Sequence, residues 1–333
     1  MPRAQGPAGP ELFPLRPRGP FSLAAAARFS KGFPAGQGGR DDGRLHLAFP
    51  VEGDWTTVGV CISDDGADLT GIVVSNPGRA DVAHIRSQVE RILSLDADAT
   101  AFPALGQGDQ VVARLQQRYP GLRPVQFHTP YEAAAWAIIG HRIRMTQAAS
   151  IKTRIAEELG DPVDFGDRCM QAFPAPDRLS TLRPTRGLTD RKVDQLRALG
   201  RSAADGQVNA ATLRAQPRDQ ALTHLQALPG IGPFSAELVL LRGAGDPDAF
   251  PAHERRLHRA MAAVYHLGDE PTLDTLRRIS DGWRPYRTWI AFLLRAWLED
   301  ETSEIATGRH ADTLPEDISP GVAPATTSPV KAD

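Results

Sequence analysis

Two periodicities divide the chain. From about residue 20 to residue 96, apolar residues recur at every second position: Leu45, Leu47 and Phe49, then Val58, Val60 and Ile62, then Ile72 and Val74. Such alternation belongs to half-buried strands. The Gly38-Gly39 and Asp64-Asp65-Gly66 clusters between the runs read as hairpin turns. Val82, Ile85, Val89, Ile92 and Leu93 then repeat at three and four, predicting one amphipathic helix over the sheet. From about 97 to 308 the period is near 3.6, with candidate helices at 107–118, 130–140, 146–160, 190–205, 218–225, 234–242, 255–265, 271–281 and 286–298. We find no internal repeat. The pattern predicts a mainly α protein with a small α+β N-terminal domain: an antiparallel sheet over 20–96 and an all-helical domain over 97–308. Residues 1–19, rich in Pro, Gly and Arg, and residues 309–333 read as disordered tails.

Charge and composition narrow the picture. The 333 residues carry a net charge of −2, but eight acids and two bases fall between 299 and 333, leaving the rest weakly basic. A protein that holds DNA through helix N-termini and a few arginines needs no high pI. Two distant cysteines, Cys61 and Cys169, exclude a disulfide framework and a four-cysteine metal or iron–sulfur site, and read as buried thiols in a reducing cytosol. No apolar run is long enough to span a membrane and the N-terminus has no apolar signal core, so a cytoplasmic protein is expected.

One motif stands out, Leu228-Pro229-Gly230-Ile231-Gly232-Pro233-Phe234-Ser235-Ala236. A proline and two glycines make a tight turn, Leu228 and Ile231 can plug it into a helical core, and a helix begins at once. Its free N–H groups and dipole would make an anion site, a DNA phosphate being the natural guest, with Ser235 placed to cap the helix or contact the ligand. The plainer reading is a turn and nothing more. Downstream, 246–257 forms a two-proline loop leading into another helix, with Glu254 at its start. That carboxylate either stabilises its own helix or does chemistry.

These residues resemble the helix-hairpin-helix (HhH-GPD) DNA glycosylases, most closely the bacterial 3-methyladenine DNA glycosylase II branch. The hairpin, Leu241-Arg242-Gly243 and Asp248-Ala249-Phe250-Pro251 carry the likeness. It extends to Tyr119-Pro120-Gly121-Leu122-Arg123, Tyr131-Glu132-Ala133, Ile138-Ile139-Gly140 and Trp283-Arg284-Pro285-Tyr286-Arg287, spanning about 20–298. The resemblance implies a helical glycosylase core behind the sheet domain and a double-stranded DNA partner with a damaged base. Glu254 would be the carboxylate that steadies an oxocarbenium-like sugar once the base has left the stack. The hairpin residues Leu228, Gly230, Ile231, Gly232 and Ser235 would grip the phosphate.

The chain departs from the family pattern at four places. Glu254 stands where Asp is usual, His141 where Gln follows the Ile-Ile-Gly helix, Arg142 where an apolar wedge fills the gap, and Arg295 where a pocket Trp is common. His141 reads as a pocket donor or as a structural residue, and Arg142 as a gap filler or a phosphate contact. Trp136 and Tyr286 are pocket candidates among aromatics that otherwise read as core, and Lys192 is a possible phosphate contact. Phe234 stands where lyase members usually carry Lys, so a monofunctional hydrolase is expected. No organic cofactor or protein-ligated metal is implied, only a monovalent cation on hairpin carbonyls, and the chain is expected to act as a monomer. The alternatives are a binder of damaged DNA that has lost catalysis, or a glycosylase shifted towards deaminated bases.

Overall fold

The computed structural model describes residues 11–32, 43–66, 69–268 and 270–304. The Gly38-Gly39 turn and the 309–333 tail lie outside them. Strand β1 (Glu11–Leu15) is followed by α1 (Leu23–Gly32), β2 (Leu45–Pro50), β3 (Thr57–Asp64), β4 (Leu69–Ser75) and α2 (Val82–Ile92). The four strands form an antiparallel sheet in the order β1-β4-β3-β2. Its inner face packs Phe13, Leu15, Leu47, Phe49, Val58, Val60 and Ile62 against Ile85, Val89 and Ile92 of α2.

Two expectations for this front domain are corrected. Residues 11–19 are no tail: Phe13 and Leu15 enter the core from an edge strand paired with β4. In β4 the alternation is inverted, with Leu69, Gly71 and Val73 buried and Val74 exposed. Register decides this, because Val60 faces Val73 and Ile62 faces Gly71 across the ladder.

The helical part runs α3 (Leu105–Gly108), α4 (Gln110–Arg118), α5 (Pro130–Gly140), α6 (Met145–Leu159), β5 (Pro162–Asp164), β6 (Cys169–Gln171), α7 (Pro176–Leu179), α8 (Asp190–Ala204), α9 (Ala210–Ala215), α10 (Arg218–Gln226), α11 (Pro233–Leu238), α12 (Arg255–Val264), α13 (Leu273–Asp281) and α14 (Arg287–Thr302). It is not all-helical, because β5 and β6 pair as a small hairpin. That hairpin lies against the sheet's outer face, close enough that a side chain at Gly59 would strike Val163, and so β3 is buried on both faces. Cys61 is buried there, whereas Cys169, expected inside, is exposed on β6.

Two apolar clusters divide the helices. One surrounds α5 and α8 and receives Leu228 and Ile231 of the glycine hairpin. The other surrounds α14, with Trp283, Trp289 and Trp297 fully enclosed. Buried arginines join the parts. Arg91 of α2 donates to the carbonyls of Phe127, His128 and Gly243 and pairs with Glu52 at 2.7 Å, while Glu52 also accepts the Ala210 N–H. Arg123 donates to five carbonyls, those of Arg18, Gly19, Pro20, Ser94 and Ala97, and lies over the Trp289 ring.

A third buried charge sits where sheet and helices meet. Glu132 of α5 pairs with Lys152 of α6 at 2.5 Å, and His128 Nδ1 stands 3.2 Å from its other oxygen. Burial works against the Glu132 charge, but Lys152 and His128 outweigh it and hold the carboxyl far below the usual carboxylate range. A carboxyl depressed on folding stabilises above its unfolded range, and the contribution is lost as pH falls through its folded value. Lys152→Met is expected to lower stability at neutral pH by about 3–5 kcal/mol, because the buried Glu132 charge loses its nearest partner and keeps only His128. The deficit should shrink on acidification, as Glu132 takes a proton in the variant. Urea unfolding across pH measures both, and a neutral-pH loss under about 1 kcal/mol would contradict the assignment.

Candidate active site

The glycine hairpin is built as the sequence suggests, with one change at its cap. Leu228 and Ile231 are buried, and the Ile231 N–H donates to the Leu228 carbonyl at 3.1 Å. Gly230 has φ +89°, a left-handed conformation that a side chain would strain. Gly232, not Ser235, is the N-cap of α11, no side chain caps that end, and Ser235 lies inside the first turn. A Cβ on Gly232 would meet nothing within 4 Å, so this side of the hairpin is open. Phe234 is exposed beside it. Helix α11 then widens into a π-turn over Val239–Gly243. Gly243 passes so close to α5 that a Cβ would lie 2.7 Å from Pro130 Cα, and Arg91 holds its carbonyl from the front domain.

The loop leaving this helix is fixed from two sides. On α14, Arg287 makes charged hydrogen bonds to Asp248, the closest at 2.9 Å, and takes the Asp248 carbonyl at 2.7 Å. Thr288 Oγ1 both donates to the Ala249 carbonyl and accepts the Ala249 N–H, each at 3.0 Å. Arg218 of α10 bonds Asp246 and the Asp248 carbonyl. On the other side, Glu237 of α11 accepts the N–H groups of Ala252 (3.2 Å) and His253 (3.0 Å). It also bonds the His253 ring at 2.8 Å. The sequence reading missed Glu237, because an acid in a short helix looks like a solvated face.

Glu254 follows at once and is the N-cap of α12. Its Oε1 accepts the Arg256 N–H at 3.0 Å. Its Oε2 lies 3.6 Å from Arg295 Nε, and both side chains are only about one fifth exposed, 22% and 21%. Arg295 stands seven residues after Thr288 on α14, two turns along the same face. The helix that clamps the loop's entry thus also meets its exit. Burial pulls the Arg295 pKa below arginine's ordinary value, against the opposing pull of Glu254. The neighbouring cations are engaged elsewhere: Arg256 lies 3.9 Å from Met145 Sδ and 3.9 Å from buried Glu304, and Arg259 also pairs with Glu304.

Of the other predicted residues, His141 and Arg142 are exposed on the turn between α5 and α6, one and two residues past the end of α5. Arg142 takes φ +57°, unusual for a non-glycine residue. This turn leads into Met145, the residue beside Arg256. No contact joins His141 or Arg142 to the Glu254–Arg295 pair among the described interactions. Lys192 is not placed for phosphate: its Nζ donates to the Ile139 and His141 carbonyls at 2.8 Å each, closing the C-terminus of α5. Tyr286 is a core residue rather than a pocket wall, because its hydroxyl donates to the Asp98 carbonyl at 2.7 Å and its ring meets Phe102 and Trp289. Trp136 likewise lies in the cluster around α5. Among the described residues no group of three or more His, Cys, Asp or Glu is placed to hold a metal, and no helix is long and apolar enough to cross a membrane.

No protein-family model matches the chain. Among curated proteins it is similar to "DNA-3-methyladenine glycosylase" of Bacillus subtilis, 27% identical over 204 residues, covering 60% of this chain and 67% of the relative. It is also similar to "DNA-3-methyladenine glycosylase 2" of Escherichia coli, 27% identical over 192 residues, covering 56% of this chain and 63% of the relative. The alignments therefore span about two thirds of these relatives' length. Among solved structures, a 3-methyladenine DNA-glycosylase from Archaeoglobus fulgidus superposes with a TM-score of 0.71 at 20% identity, over 87% of this chain and 98% of that one. The chain thus shares the fold of a solved 3-methyladenine DNA-glycosylase, is similar in sequence to curated DNA-3-methyladenine glycosylases, and seats its glycine hairpin in the helical core as the resemblance to the helix-hairpin-helix DNA glycosylases implies.

Proposed function

We propose that this protein is a monofunctional DNA glycosylase of base-excision repair that hydrolyses the N-glycosidic bond of an everted, alkylated purine in double-stranded DNA. The observation that carries the reading is the placement of Glu254. A single carboxylate ends a loop fastened to the hairpin helix on one side and to α14 on the other, and is turned inward to Arg295. As the base departs with the bonding electrons, C1′ of the sugar gains positive charge. A fixed carboxylate in a partly enclosed site stabilises that charge without reorganising. The Arg295 guanidinium fixes the direction of Oε2 until the sugar cation competes for it.

The names of the curated relatives support a 3-methyladenine class of substrate, and the absence of a lysine at Phe234 supports water as the nucleophile. The open hairpin backbone would take a DNA phosphate. Its carbonyls would also take a monovalent cation, the Leu228 carbonyl having a second lone pair beyond its bond to Ile231. Such an ion would add positive charge beside the phosphate. We read the protein as acting on DNA as a monomer.

Base release from methylated, inosine- and uracil-containing duplexes, followed by alkaline cleavage of abasic sites, tests the activity. Strand breaks are expected on the methylated duplex and should fall at least about 10²-fold in Glu254→Gln, the scale of losing one preorganised electrostatic partner. Unchanged breaks in that variant would reject Glu254. Gly232→Asp tests the hairpin separately. The position is sterically open, so the fold should persist by circular dichroism, while the added charge should weaken duplex binding in a gel-shift titration about tenfold or more. Equal affinity would reject the phosphate site.

A further inference from the structure

One feature beside Glu254 is not used by a mechanism that relies on a single carboxylate. His253 directly precedes it, and its Nδ1 lies 2.8 Å from Glu237 Oε1. The same carboxylate holds the backbone N–H groups of Ala252 and His253, so Glu237 cannot turn away without releasing the loop. Glu237 is sheltered at 12% exposure, whereas the His253 side chain is 53% exposed. An ionised carboxylate only accepts, so the bond places a ring proton on Nδ1, and in the neutral imidazole Nε2 is then the acceptor. Among the described residues, Glu237 on α11 bonds this ring, Glu254 is next in the chain, and His258 lies one turn into α12. His258 senses Glu254, Glu237 and His253, is held by Pro251, and is pulled below the ordinary histidine pKa by burial.

Resting on the glycosylase reading above, we propose that His253, oriented by Glu237, is the general base that activates the hydrolytic water, leaving Glu254 to stabilise the sugar cation. A cationic alkylpurine leaves as a neutral base with the electron pair of the C1′–N bond. The water oxygen then bonds to C1′, and its proton passes to His253 Nε2. The resulting imidazolium is stabilised by Glu237 and returns its proton to solvent. The sum is one water consumed, one hydroxyl left on C1′ and one proton released. His253 is the catalytic residue in this step, and Glu237 is a positioning residue acting through it.

Single-turnover release of N7-methylguanine from a duplex, measured across pH in the full chain, tests the assignment. The wild-type rate is expected to rise with pH, because a general base acts only in its unprotonated form. His253→Gln and His253→Ala should lose about 10²-fold in rate with DNA affinity unchanged, and should lose that rise. Added imidazole should restore rate to His253→Ala but not to His253→Gln. Glu237→Gln should lower the rate less and alter the pH profile, whereas a merely structural role would change stability and leave the profile intact. If wild type releases base and the His253 variants keep both its rate and its pH profile, the histidine assignment falls and the glycosylase reading survives. If wild type releases no base while retaining DNA binding, the glycosylase reading falls and this inference with it.

Discussion

The site depends on one mechanical constraint: a loop of about ten residues held at both ends by different helices. Arg287 and Thr288 grip Asp248 and Ala249 at its start, and Glu237 grips Ala252 and His253 at its end. A loop lacks ladder hydrogen bonds, so its backbone polar groups must find partners elsewhere or stay in water. Here they find charged side chains rooted in helices, which is a stiffer arrangement than hydration. The role proposed for Glu254 needs such stiffness, because catalytic groups tolerate displacements well under an ångström.

The anchors in turn depend on buried arginines. Arg91 ties the front domain to the π-turn through Gly243, and Arg123 ties the N-terminal segment to Trp289 of α14. Each guanidinium satisfies several carbonyls that no regular element reaches. The sheet domain therefore acts as a brace, holding the hairpin helix and α14 in fixed positions from behind.

Glu254 and Arg295, both departures from the pattern of the resemblance, face one another in the structure. Arg295 projects from α14 towards the start of α12, and a carboxylate must reach it from the helix N-cap. Glutamate has the length to do both, accepting the Arg256 N–H with one oxygen and facing Arg295 with the other. Glu304 draws Arg256 and Arg259 towards itself, so Arg295 is the guanidinium that addresses Glu254. Two positions at which the chain departs from the pattern of the resemblance thus meet in space.

Much of this was legible in the chain. Apolar spacing alone placed β2, β3, α2, α5 and α8 close to their observed bounds, because those elements bury one face or are apolar throughout. The hairpin and the start of α12 followed from glycine, proline and a carboxylate, residues whose local chemistry acts over three or four positions. Strand β1 was hidden by its proline and its surroundings, and the phase of β4 depended on pairing with β3. The roles of Glu237, Lys192, Tyr286 and Arg295 were equally invisible, since each is set by a partner 15 to 188 residues away. The sequence by itself determined which segments would be helices, where the glycine turn falls and which acid follows it. Only the tertiary structure decided which charges meet, because electrostatic and hydrogen-bond partners are chosen by distance in space, and packing alone sets that distance.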